Sequence, residues 1–139
     1  DEMTHALCLA AKRGVDVRII TPGIPDKKFI YNITRSFYHG LVKHGVRVNE
    51  WTPGFCHAKM SVADDCMATC GTINLDYRSL YHHFENGCFM ADCQAVVEIK
   101  NDLIRTMGEC RDVTDQYQTG RSAYLRLGQL FMRLFAGLL

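Results

Sequence analysis

Two successive helix–strand units, each closed by a glycine, restrict the first fifty residues to an α/β arrangement. Residues 1–12 carry Met3, Ala6, Leu7, Ala10 and Ala11 at helical spacing, Gly14 stops the run, and residues 15–20 read as a strand. After the turn at residues 21–26, a second helix over about 27–43 places Ile30, Ile33, Phe37 and Leu41 on one face. Gly45 closes it, and residues 46–51 form the next strand. Further on, the runs 55–63 and 66–70 flank Asp64-Asp65 as a hairpin would, and 84–91 joins the same sheet. Asp92 is placed as the N-cap of a helix to about Met107, in which Val96, Ile99, Leu103 and Ile104 recur at helical spacing. Residues 108–120 are polar and read as a loop. The fold class expected is α/β, a mixed β-sheet flanked by helices. One domain over 1–121 precedes a helical tail over 122–139 that mixes leucines with Arg121, Arg126 and Arg133 along one run.

At 139 residues and 47% hydrophobic, the chain can bury the core of one domain. A net charge of +1 supplies no global field to gather nucleic acid or anionic membrane, so any anion site has to be local. The seven cysteines are odd in number and lack the paired spacing of a zinc site. Several alternate with apolar residues, which favours reduced core thiols over bridges and, with them, a reducing compartment. No segment approaches the roughly 20 apolar residues that a membrane-crossing helix needs. The chain opens inside a helix–strand unit, which suggests a fragment lacking upstream sequence.

The chemistry concentrates in one segment. His57, Lys59, Asp64, Gly71 and Asn74 spell H-x-K-x4-D-x6-G-x-x-N. If residues 55–63 are a strand, alternation puts His57, Lys59 and Ser61 on one face and Ala58, Met60 and Val62 on the other. A turn after residue 70 brings the Asn74 amide back to the same edge, and Gly71 permits a tight turn and close approach to a ligand. The product is a pocket of donors suited to a phosphate oxygen. Taken singly, each residue has an ordinary explanation: a surface histidine, a solvated lysine, a pair of turn aspartates. Five identities at fixed spacing do not coincide easily by chance. His82 and His83 are read as structural or substrate-edge residues, and His5, His39 and His44 as helix-surface residues.

This segment resembles the HKD motif of the phospholipase D superfamily. The resemblance implies that His57 is the nucleophile, forming a covalent phosphohistidine, while Lys59 and Asn74 hold the non-bridging phosphate oxygens. Thr72 adds a hydroxyl near the phosphate, where Gly71 also lies, Glu85 matches the acid that fixes the histidine tautomer, and Asp64 stabilises the fold around the motif. No metal and no cofactor is implied. Superfamily enzymes use two such motifs, one histidine attacking and the other protonating the leaving oxygen, because one imidazole cannot do both in one step. This chain holds one copy. The partner is either a second copy of the chain or an N-terminal half upstream.

The strings around residues 12–23, 52–55, 72–80 and 84–87 further resemble the C-terminal catalytic half of bacterial cardiolipin synthases. That resemblance implies a phosphatidyltransferase joining two phosphatidylglycerol molecules with release of glycerol. It also implies work at the cytoplasmic side of the cell membrane and no nucleic-acid partner. The tail at 122–139 is then either a helix packed on the domain or one lying in the lipid interface. The alternatives are another phospholipase D-type phosphodiesterase and a metal-independent homodimeric nuclease, the latter disfavoured by the near-neutral charge.

Overall fold

A computed structural model describes residues 2–118 together with Gly128 and Phe131. Apart from those two residues, the tail expected at 122–139 lies outside the described residues. Helix α1 (Glu2–Lys12) leads to β1 (Arg18–Pro22), and α2 (Lys28–Lys43) leads to β2 (Arg47–Trp51). Both helices end in the same way. Gly14 and Gly45 adopt φ of +92° and +95°, a region open to glycine without a Cβ penalty. Their N–H groups bond to the carbonyls of Ala11 and Val42, while the N–H groups of Val15 and Val46 reach back to Ala10 and Leu41. That paired closure satisfies carbonyls the helix leaves unpartnered and turns the chain into the next strand.

Strands β1 and β2 pair in parallel, Ile19 opposite Val48, with α2 as the crossover. The core lies beneath them. Tyr38 and Val42 of α2 meet Val48, Val113 and Tyr117, and a second cluster joins Cys8, Leu41 and Val46. Each buried valine stabilises the fold by about 1.5–3 kcal/mol relative to exposure. The Tyr38 hydroxyl lies 2.6 Å from the Thr21 hydroxyl, and burial suppresses its ionisation.

Residues 108–120 differ from the expected loop. Helix α3 (Gln94–Glu109) runs into them, β6 (Arg111–Asp112) pairs antiparallel with β2, and α4 (Thr114–Gln118) follows. The Asp112 carboxylate accepts from the Thr114 N–H at 2.8 Å, and Val113 and Tyr117 alone turn inward. Two apolar residues in a polar stretch leave no periodicity to read. Asp92 is likewise not the N-cap: Cys93 holds that position, without a side-chain cap bond, and Asp92 sits at φ 47°. The first strand also begins later than expected, at Arg18, and the strand around residue 60 is shorter.

The remaining strands, β3 (Met60–Ala63), β4 (Met67–Gly71) and β5 (Gly87–Ala91), form an antiparallel meander, with β4 central as the hairpin reading implies. The architecture is therefore α/β and mixed, but the strands among the described residues divide into two three-stranded sheets, β1-β2-β6 and β3-β4-β5. Helix α3 packs on strands of both. The cysteine expectation also needs correction. Cys8 alone is buried; Cys56, Cys66 and Cys110 are half-buried, and Cys70, Cys88 and Cys93 are exposed, all seven as free thiols.

Glu50 of β2 is fully buried, a position that charged residues occupy when paired. Its carboxylate meets the Arg35 guanidinium at 3.2 Å and that of Arg111 at 2.5 Å, so α2 and β6 are tied to β2 through one acid. Arg35 in turn lies over the rings of Tyr31 and Tyr117, 5.1 and 5.7 Å from their centroids.

Candidate active site

The polar donors gather at one end of the β3-β4-β5 sheet. Gly71 closes β4, and its N–H bonds to the Lys59 carbonyl at 3.1 Å. Here the glycine is required by the neighbouring strand: a Cβ on Gly71 would stand 2.3 Å from the Asn86 carbonyl oxygen and 2.5 Å from the Gly87 Cα. The close approach it permits is to its own chain.

Beyond Gly71 the Thr72 N–H bonds to the Asn86 carbonyl at 2.8 Å, and the Thr72 hydroxyl donates to Glu85 Oε2 at 2.5 Å. The hydroxyls of Thr72 and then Ser79 hold the Glu85 carboxyl below its ordinary pKa, with smaller help from the charges of His83 and Lys59. Asn74 donates through Nδ2 to the Ser79 hydroxyl at 3.3 Å. Thr72, Asn74, Ser79 and Glu85 are thus one hydrogen-bonded set. Ser79 sits in a π-helical turn, Arg78–His82, and its N–H is capped by Asp76 Oδ1 at 2.8 Å. Such turns are rare and recur at functional sites.

The charge of Lys59 acts on the same set through Glu85. Lys59 lines a cavity of about 810 Å³ together with Asn74, Ser79, His83 and Glu85 and with the apolar residues Leu7, Ile19, Ile30, Ile33, Phe37 and Leu41. Its ammonium donates to the His57 carbonyl at 2.8 Å. His57 itself is exposed, with its ring stacked on Phe55 at 5.7 Å and 16°. It opens into an adjoining recess of about 160 Å³ that shares Pro22, Lys27, Ile30 and Thr34 with the larger cavity.

The alternation argument therefore reaches Lys59 and stops short of His57. Lys59 is still opposite Gly71, but His57 would need residue 73 across from it, beyond the end of β4. Among the described residues no side-chain hydrogen bond joins His57 to Glu85; the acid is engaged by Thr72. Asp64 occupies the β3–β4 turn at φ 52° and belongs to the hairpin. Among the described residues no three His, Cys, Asp or Glu side chains converge on a metal position.

A model of the family described as cardiolipin synthase, PLD-like domain, matches residues 1–107. The chain belongs to that family. Over 138 residues it is 48% identical to an uncharacterized protein of Streptococcus mutans, covering 99% of this chain and 30% of that protein. It is 32% identical to a cardiolipin synthase of Halalkalibacterium halodurans and 35% to one of Clostridium perfringens, in each case over the whole chain but only 28% and 29% of the relative. The chain thus spans less than a third of the length of these relatives. A solved phospholipase D family member, Nuc from Salmonella typhimurium, shares its fold at a TM-score of 0.69 and 18% identity, covering 78% of this chain and 71% of that one.

Within this PLD-like domain, the structure brings together Lys59, Thr72, Asn74 and Glu85, leaves Asp64 in a turn, and sets His57 one recess away. Ser79 was not singled out from sequence. It carries no catalytic signature of its own, and the π-helical turn that buries it is not readable from spacing. His39 was read as a surface residue; it is half-buried, and its Nδ1–H donates to the Tyr117 carbonyl at 2.9 Å.

Proposed function

We propose that this domain transfers a phosphatidyl group from one phosphatidylglycerol to the hydroxyl of another, making cardiolipin and free glycerol. The observation that carries the reading is the cavity, lined both by Lys59, Asn74 and Glu85 and by aliphatic and aromatic residues of α1, α2 and β1. An amphiphile with a phosphodiester at its junction matches both kinds of lining. Membership of the cardiolipin synthase family points the same way.

In this reading a neutral His57 nitrogen attacks phosphorus, and the bond to the headgroup glycerol oxygen breaks. A second histidine, from another copy of the motif, protonates that oxygen as it leaves. The phosphohistidine divides one hard displacement into two easier ones. The second histidine then takes the proton from the hydroxyl of an incoming phosphatidylglycerol, which attacks phosphorus and frees His57. Lys59 and Asn74 stabilise charge on the non-bridging oxygens in both transition states. To do so the Lys59 ammonium exchanges the His57 carbonyl for phosphate, and the Asn74 amide exchanges Ser79. Glu85 remains ionised under its two hydroxyl donors and adds a local negative field, opposite Lys59, that favours a protonated imidazole after attack.

The test is turnover of labelled phosphatidylglycerol vesicles in the presence of a chelator, read by mass spectrometry and coupled to trapping of the adduct after a rapid quench. The expected outcome is cardiolipin and a phosphatidyl adduct on the His57 peptide, both absent from His57→Ala. An adduct on another residue, or cardiolipin formed by His57→Ala, would overturn the assignment.

A further inference from the structure

Cys70 on β4 and Cys88 on β5 stand directly opposite each other, and both are exposed. The bonding pattern fixes what kind of pair they are. The N–H of Asp92 bonds to the Cys66 carbonyl and that of Thr72 to the Asn86 carbonyl, so bonded pairs recur at every second position and include Cys70 with Cys88. Opposed Cα atoms of such a pair lie about 5.5 Å apart. Disulfides span roughly 4.4–6.8 Å between Cα atoms and about 3.5–4.5 Å between Cβ atoms, so the Cα spacing suits a bridge while closing it draws the two Cβ atoms together by roughly 1 Å. Opposed residues in an antiparallel ladder also project to the same face, so the two thiols share one side of the sheet. At the next pair a Cβ on Gly71, though not on Gly87, would collide with the facing backbone. Cys66 is opposite Asp92, and Cys93 lies past the ladder, so neither has a thiol across from it.

We propose that Cys70 and Cys88 are a redox-active dithiol that closes to a reversible disulfide across β4 and β5. The stretch between them contains Thr72, Asn74, Ser79 and Glu85, so the bridge shuts this stretch at its neck. The reaction needs an oxidant, and a low-molecular-weight disulfide serves. One thiolate attacks a sulfur of the oxidant to give a mixed disulfide and release one small thiol. The second thiolate then displaces the other small thiol as the Cys70–Cys88 bond forms. The two protein thiols lose two protons and two electrons, and the oxidant becomes two thiols. Exposure leaves the product open to reduction by the same exchange in reverse. The inference rests on the register of the strands and is independent of the lipid chemistry above.

The experiment equilibrates the folded chain with graded mixtures of oxidised and reduced glutathione, alkylates the remaining thiols and maps disulfide-linked peptides by mass spectrometry. The expected result is one linked pair joining Cys70 to Cys88, lost on dithiothreitol treatment, with slower amide exchange over residues 71–87 in the oxidised form. In Cys88→Ser the same mixtures should leave Cys70 carrying glutathione. The wild-type map is decisive whether or not that variant folds. Persistent alkylation of both cysteines, separate glutathione adducts on each, a bridge to any other cysteine, or unchanged exchange over 71–87 would overturn the proposal.

Discussion

Gly71 shows how one residue type can serve a motif for a reason the motif does not reveal. In the sequence its absence of a side chain reads as room for a ligand; in the fold the space is taken by Asn86 and Gly87 of the adjacent strand. Gly71→Ala should therefore act first on stability. Overpacking typically costs about 1–3 kcal/mol, and here the obstacle is backbone that cannot swing aside. Urea unfolding should show a lower midpoint with an unchanged slope, and any loss of turnover should follow the folded fraction. His57 illustrates the converse. Its identity and its spacing to Lys59 are plain in the chain, yet its setting against Phe55 depends on where β4 ends.

At the scale of elements, the parallel β1–β2 pair is held mainly by what lies beneath it, with charges adjusting its edges. Asp16, just before β1, bonds to Arg18 and to Arg47 at the start of β2, and these guanidiniums lower its pKa to about 2. The pair is half exposed, so Asp16→Asn should cost about 0.5–1 kcal/mol at neutral pH. Because the folded pKa lies below the ordinary value of 3.8, this contribution is complete above that pH and is lost as pH falls toward 2. Thermal melts of the two proteins should thus converge in acid. Glu50 is a different case. Fully buried between Arg35 and Arg111, it has exchanged water for two guanidiniums. Arg35→Ala should destabilise by roughly 3 kcal/mol, the low end for breaking a buried pair because Arg111 remains. A loss below half of that in chemical denaturation would show that water replaces the missing partner.

For the whole molecule, the proposed mechanism needs a second histidine, and the chain carries one copy of the motif. If two copies of this chain pair, each active unit needs two intact His57 residues. Mixing wild-type with an equal amount of His57→Ala, after unfolding and refolding together, should then leave about a quarter of the activity of an all-wild-type sample at the same total concentration. A fall to about half, in proportion to wild-type chains, would show that each chain works without the His57 of another copy. Either result is read from the dependence of rate on the wild-type fraction.

Much of this protein was determined by local signals. The two glycine-closed helix–strand units follow from helical spacing and from the positive φ that glycine alone adopts freely, and the candidate residues His57, Lys59 and Asn74 are picked out by identities within eighteen residues of one another. Tertiary structure decided the rest, where the cause lies between segments distant in the chain. Among the described residues, the division of six strands into two sheets depends on β6 pairing with β2 across some sixty residues. That pairing is held by Val113, Tyr117 and the charge of Glu50 and not by any periodicity in the polar stretch that contains it. The bonded set of Thr72, Asn74, Ser79 and Glu85 likewise requires a π-helical turn to fold back on the end of β4, and the opposed thiols of Cys70 and Cys88 require a strand register. Spacing along a chain specifies which side chains are available. Which of them touch is settled by how loops close and where ladders end.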